Sequence, residues 1–223
     1  MITVTYHDDL KEVQDDAPLA ALLRAPHAAA PFDRIEWWQG LVELCGQFPL
    51  IAVARQGDQR GVMPLLRKGR QVHCLANWYN FRVAPLFTEG ADRIAMLNEF
   101  ATDLAGQTPH LVLSPLPDEC DETTAFAKAL RQAGWTTFVE QCDVNHVLPV
   151  GGRSYAEYLA ARPGPVRTTL KRKAGKVVVS IETHFNPDSW AAYEAIYAQS
   201  WKGEEGNPAF LRAFAQQEGA AGR

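Results

Sequence analysis

Apolar and polar positions along the chain recur with two periods, and each change of period marks a change of element. MITVTY alternates and carries β-branched residues, which predicts a first strand, and APLAALLRA predicts a short helix. Residues Pro31 to Arg34 read as a turn. IEWWQGLVELC then sets Ile35, Trp38, Val42 and Cys45 on one helical face, with Trp37 and Leu41 beside it, so this helix is expected to face a core. Three compact apolar runs follow, PLIAVAR, GVMPLLRKG and QVHCLA, with only GDQR and KGR between them. Spacers that short predict antiparallel hairpins, because a parallel return needs about a dozen residues or more. After NWYNFRVAPLFTEG the period becomes helical in ADRIAMLNEFATDLAG; strand HLVLSPL, helix ETTAFAKALRQAG and a final strand region WTTFVEQCDVNHVLPV complete the series. The predicted order is β-α-α-β-β-β-α-β-α-β, a mixed α/β domain with a mostly antiparallel sheet flanked by helices, over residues 1–150.

A second unit is expected over residues 151–223. GGRS supplies a joint, and Ser154 with Glu157 three residues on fits a capping box opening the short helix SYAEYLA. RTTLKRKAG predicts a further helix that ends at Gly175. KVVVSIETH alternates as a strand, and PDSWAAYEAIYAQSWK and NPAFLRAFAQQEG read as two helices. The β-α-α order of the first unit thus recurs and stops at AAGR, where another strand is expected. Either the chain is a piece of a longer polypeptide, or it carries an unfinished half domain through which it would dimerise.

Charge narrows the function classes. The stretch RPGPVRTTLKRKAGK holds six positive charges and no negative one in a chain of net charge −4, which leaves −10 for the rest. A mostly acidic surface repels a polyanion everywhere outside that stretch, so general nucleic-acid binding is not expected. The 47% hydrophobic content is enough for real cores and excludes a disordered chain. MITVTYHDDL has no basic segment followed by an apolar run, and no window approaches the roughly 18 apolar residues of a membrane span, so a cytoplasmic protein is the expectation. Cys45, Cys74, Cys120 and Cys142 show no CxxC spacing and read as reduced thiols. Cys142 and His146 would share a strand face about 13 Å apart, too far to hold one metal by themselves.

The basic stretch has three readings. Arg167 and Lys171, four apart, share a helical face and could clamp a phosphate or carboxylate with Arg172 nearby; alternatively the run is a solvated face, or a contact for nucleic acid. In NWYNFR, the rings of Trp78 and Tyr79 could stack on a sugar while Asn80 and Arg82 bond hydroxyls or phosphates, or the cluster could plug a gap between two units. Trp190, Tyr193 and Tyr197 form a stripe that reads as core rather than cofactor box, followed at the helix end by Ser200, Trp201 and Lys202. No Ser-His-Asp spacing, P-loop or zinc motif is present in the sequence.

This element order resembles the GNAT acetyltransferase superfamily. FDRIEWWQGLVE, then SYAEYLAARPGPVRTTLKRKAGK, then a strand and the helix ending in AQSWK, are similar to bacterial acetyltransferase-like proteins of cellulose and other exopolysaccharide biosynthesis. Those resemble the peptidoglycan aminoacyltransferases in having two fused GNAT-like domains, of which this chain would cover the first and the start of the second. The resemblance implies, in the intact protein, transfer of an acyl group from acetyl-CoA or another acyl-CoA to an amine or hydroxyl of a small anionic, sugar-like or cell-envelope precursor. It also implies that the acyl-CoA pyrophosphate rests on a Gly-rich turn opening the helix after the fourth strand. Here that turn is ANWYNFRVAPLFTEGAD, without the Q/R-x-x-G-x-G/A pattern, so this chain alone is expected to bind acyl-CoA poorly and to be inactive. Acyl transfer to an amine needs a base. Glu36, His73, Asp143, His146, Glu182 and His184 are the candidates, with Glu182 and His184 favoured because they alternate onto one strand face. Arg167, Lys171, Arg172, Trp78, Tyr79, Asn80, Arg82, Trp201 and Lys202 are the expected substrate side. The rival reading is a non-catalytic binding or assembly module of an exopolysaccharide or envelope pathway.

Overall fold

The computed structural model describes residues 1–24, 28, 30–118, 121–142, 144, 146–201 and 206–223. It is a mixed α/β structure whose strands form a four-stranded and a three-stranded sheet, lying between helical layers. Strands β1 (Thr3–His7), β2 (Ile51–Gln56) and β3 (Gln59–Met63) pair antiparallel in that order, and β4 (Leu65–Lys68) pairs antiparallel with β5 (Gln71–Cys74). The short GDQR and KGR spacers do make hairpins: Gln56 faces Gln59 and Lys68 faces Gln71. Each leaves a two-residue loop whose first residue, Gly57 or Gly69, has φ near +60° (58° and 61°), a conformation that favours glycine.

β3 and β4 are one line of chain interrupted at Pro64. Ala52 faces Met63 in the β2–β3 ladder, and Pro49 bridges Leu66 further along in the same register. Pro64 has no N–H to give the ladder, which breaks there; its carbonyl still accepts from Leu75 N at 2.9 Å. Strand β6 (Leu86–Phe87) pairs with β3, and β7 (His110–Val112) pairs parallel with β5 through the crossover helix α4 (Arg93–Gln107).

Strand β2 is buried on both faces, and its alternation separates two cores. Ala52 and Ala54 point with Met63, Leu65 and Val72 toward α4 and toward α5 (Asp121–Gln132), against Met96, Phe100, Leu104 and Phe126. Ile51, Val53 and Val62 point the other way, onto α1 (Leu10–Asp15), α2 (Ala17–Leu22) and α3 (Ile35–Glu43), against Val13, Leu19, Trp38 and Leu41. α3 buries Ile35, Trp37, Trp38 and Leu41, close to the face its spacing predicts.

Beyond α5 come α6 (Tyr155–Ala160), α7 (Gly164–Ala174), α8 (Pro187–Ala198) and α9 (Pro208–Ala220). The capping box of α6 forms as expected: Ser154 Oγ accepts from Glu157 N, and Glu157 Oε2 accepts from Ser154 N at 2.8 Å. α9 returns to the core on α1–α3, where Phe210 is 1% exposed and packs with Trp37, Tyr79 and Phe214. Two expected strands do not form. Among the described residues, neither 136–150 nor 176–184 has a ladder partner; both lack regular secondary structure and are largely exposed, with Val178 100% accessible. Alternation supplies a face, but a strand exists only where neighbouring backbone takes up its hydrogen bonds.

Candidate functional site

The loop after β5 is built by its own side chains. Asn77 Oδ1 accepts from Tyr79 N at 3.0 Å, and Asn80 Oδ1 accepts from Asn77 N at 2.9 Å and from Trp37 Nε1 at 3.2 Å. Asn80 is buried, and its Nδ2 has no hydrogen-bond partner among the described residues. The Tyr79 ring stacks on Phe210, centroids 6.0 Å apart and planes 8° apart, and its hydroxyl accepts from Asn207 N at 3.3 Å. Arg82 pairs with the buried Asp33. Burial raises the Asp33 carboxyl above its ordinary value, and the guanidinium of Arg82 pulls it only part of the way back. Tyr79, Asn80 and Arg82 therefore fasten this loop to α3 and α9. Trp78 is the expected ligand group here that faces solvent, 82% exposed, with its Cβ beside Gly206.

The other expected groups lie apart from that loop. α7 buries none of its side chains. Arg167 Nη1 donates to Ala160 O at 3.0 Å, tying α7 to α6, while Lys171 and Arg172 extend from its exposed last turn. Glu182 Oε1 accepts from Ser189 Oγ at 2.6 Å, so this carboxylate is tied to the start of α8. His184 is exposed, and without a strand the shared face predicted for Glu182 and His184 is not built. Trp201 is exposed; Lys202, Asp143 and Cys120 lie outside the described residues. Among the described residues no hydrogen bond or ion pair joins α7 to loop 77–82, to Glu182 or to His184. The stripe of Trp190, Tyr193 and Tyr197 forms a ring ladder, with centroids 5.3 and 5.9 Å apart, but not the core expected of it, since α8 buries none of its side chains and Tyr193 is exposed.

The N-terminus of α4 is the place where the Gly-rich turn is expected. Asp92 caps it, its Oδ1 accepting from Ala95 N at 3.0 Å, and Gly90 O accepts from Gln59 Nε2 at 2.6 Å. A carboxylate thus occupies the end of the helix that would attract a pyrophosphate, and it uses one of the N–H groups available there. These residues do not fit acyl-CoA bound in that way.

A groove less evident from sequence crosses β4, β5 and β7. It encloses about 430 Å³ and is lined by Phe48, Leu66 and Val112 with Arg67, Lys68, His73, Cys74 and Ser114. Burial, and then the charge of Lys68, lower the pKa of His73. Burial pushes the Cys74 thiol up to about 12, against a hydrogen bond from the Ser114 backbone. The signal was present in LLRK and QVHC, whose alternation sets Leu66, Lys68, Gln71 and His73 on one face once the hairpin register is known.

Among the described residues no group of three His, Cys, Asp or Glu side chains could hold a metal, and no helix is long and apolar enough to cross a membrane. No family model matches the chain, and no significant similarity to a curated protein or a solved structure is found. Fold and site together define a mixed α/β chain with antiparallel and parallel strand pairing between helical layers.

Proposed function

We propose that this chain is a GNAT-like module of an acyltransferase acting, in the intact protein, on an amine or hydroxyl of a sugar-like or cell-envelope precursor. In this reading the unit built on β1–β7 is a half that does not itself hold acyl-CoA. The observation that carries it is the parallel pair β5–β7, the one such pair among the described residues, joined through α4 where the expected series puts a helix between two strands, in a three-stranded sheet whose other pair, β4–β5, is antiparallel. The Asp92 cap on α4 supports the second clause, because a carboxylate there opposes a bound pyrophosphate. The chain's contribution is then substrate positioning: the exposed Arg167, Lys171 and Arg172 attract an anionic group, and Trp78 and Trp201 offer flat faces to a sugar ring.

The same Asp92 cap also favours a second reading, a non-catalytic binding or assembly module of an exopolysaccharide or envelope pathway. Calorimetric titration of acetyl-CoA and of a sugar phosphate into the chain, with the Arg167→Ala/Lys171→Ala variant alongside, separates the two. The substrate-side reading expects no saturable acetyl-CoA binding, and sugar-phosphate binding that the double variant loses. Saturable micromolar binding of acetyl-CoA would overturn the claim that this half lacks the cofactor site. Binding of neither compound favours the assembly module.

A further inference from the structure

The sheet is covered unevenly, and the groove lies where it is bare. α4 and α5 cover one face from β2 to β5 through Leu65, Val72 and their neighbours. On the opposite face α1–α3 cover Ile51, Val53 and Val62. There the cover stops short of β7: Val112 is 43% exposed, and Phe48, at the groove's rim, is 77% exposed. The ladder places Leu66 beside His73 and His73 beside Val112, so these three cross the bare face as one row, with Lys68 on the same side of β4.

We propose that this groove binds a small organic anion, an apolar ring or short chain bearing one carboxylate or phosphate, with its body on Phe48, Leu66 and Val112 and its charge toward Lys68. The volume of about 430 Å³ falls within the usual span of small-molecule sites, and the mixture of apolar floor and a few polar groups is their usual lining. None of the lining residues is acidic, although the chain as a whole carries a net charge of −4. A concave, cation-lined patch on an acidic protein concentrates field of one sign and selects anions. Ser114 and His73 add hydrogen-bonding groups beside the cations; His73 Nε2 already lies 3.0 Å from Gln71 Oε1, which leaves Nδ1 for a ligand. The site does not depend on acyl transfer or on the α7 segment.

The test follows the His73 ring by NMR while phenyl phosphate, benzoate or uncharged phenol is titrated into the full chain at low ionic strength, with His7 on β1 as internal control. Expected is a saturable shift of His73, and none of His7, with one or both anions; the tighter anion identifies the head group. Lys68→Ala should weaken that binding by about tenfold, and Arg67→Ala, whose side chain alternates to the other face of β4, by less. Val112→Glu, which puts a carboxylate on the groove floor, should abolish it, and Lys128→Ala, on exposed α5 surface, should leave it unchanged. Lys68, Arg67 and Val112 are all solvent-accessible, so these variants keep the core intact. The proposal is overturned by the absence of any saturable His73 shift, by phenol binding as tightly as the anions, or by undiminished binding in the Lys68 variant.

Discussion

Gly40 offers a sharp test of whether α9 belongs to the core on α1–α3. It sits inside α3, where glycine costs about 1 kcal/mol relative to alanine, so on an isolated helix Gly40→Ala would stabilise by about that amount. In the structure a Cβ at position 40 would lie 2.7 Å from Phe210 Cε2 and 3.1 Å from Cδ2. That ring cannot swing away cheaply: it is 1% exposed, edge-on to Trp37 with centroids 4.7 Å apart, and stacked with Tyr79. Overpacking of this kind costs about 1–3 kcal/mol, which exceeds the propensity gain. The net effect should be a loss of up to about 2 kcal/mol, or several degrees in the melting temperature of a chain this size. Phe210→Ala alone should cost about 3–5 kcal/mol.

In the Phe210→Ala background the obstruction is gone, and Gly40→Ala should change sign and stabilise by up to about 1 kcal/mol. The four proteins form a double-mutant cycle, read by urea unfolding with amide exchange in α9 as a second probe. The coupling energy should be about 1–3 kcal/mol. If Gly40→Ala stabilises the parent chain and the cycle shows no coupling, α9 does not dock on α3.

Other side chains give independent tests. Asp16 is ringed by arginines: burial acts to raise its pKa, but hydrogen bonds from Arg60 and Leu19 and the charges of Arg60 and Arg55 outweigh that and leave it lowered. A depressed carboxyl stabilises above its unfolded value and loses that contribution as pH falls through the folded value. Asp16→Asn, which keeps the α2 cap, should thus cost about 1–3 kcal/mol near neutral pH, with the difference from the parent vanishing in acid; an unchanged melting temperature at pH 7 refutes the pairing. Asp33 has the opposite sign, since its raised pKa means that the charged form is the costly one. Arg82→Met should therefore destabilise by about 2–3 kcal/mol at pH 7 and by less as Asp33 takes up a proton, whereas an Arg82 that serves only a ligand would leave stability untouched. Alkylation followed by mass spectrometry should label exposed Cys142 first, Cys45 more slowly and buried Cys74 only on unfolding; early labelling of Cys74 would contradict its packing.

Local pattern was a good guide wherever an element buries a face of its own chain. The hairpins were legible because GDQR and KGR admit no other connection, and α3, α4 and α5 were legible because their apolar stripes meet the sheet. The split of GVMPLLRKG at Pro64 was visible in principle, since proline cannot donate, but its placement depended on the register shared with β2. α1 escaped notice because LKEVQD buries only Leu10 and Val13, too few positions to establish a period. The docking of α9 was illegible for a different reason. NPAFLRAFAQQEG carries Phe210 and Phe214 on one face, but nothing in that face says which of two units it covers. The NWYNFR cluster was chemically ambiguous from sequence, since aromatic and amide groups suit a sugar and suit packing equally; here Tyr79 stacks on α9, whereas Asn80 and Arg82 are committed to Trp37 and Asp33 within the sheet unit.

The placement of α9 changes how the basic segment should be regarded. Because Phe210 is locked into the core on α1–α3 while α5 ends the sheet unit at Gln132, the chain leaves that unit and returns to it, and α6, α7 and α8 lie on the excursion between two anchored points. Both ends of the excursion are fixed by side chains far apart in sequence: Trp135 Nε1 donates to Ala101 O at 2.9 Å at one end, and Asn207 Nδ2 donates to Leu44 O at 2.9 Å at the other. An exposed cationic helix on a segment anchored at both ends loses less freedom when it captures an anion than the same helix on a dangling terminus, since part of the ordering has already been done by folding. That makes the α9 dock relevant to recognition although, among the described residues, it makes no hydrogen bond or ion pair with Arg167 or Lys171. If Arg167 and Lys171 bind a sugar phosphate, Phe210→Ala should weaken that binding while leaving every charge in place, and charge alone cannot account for such a loss.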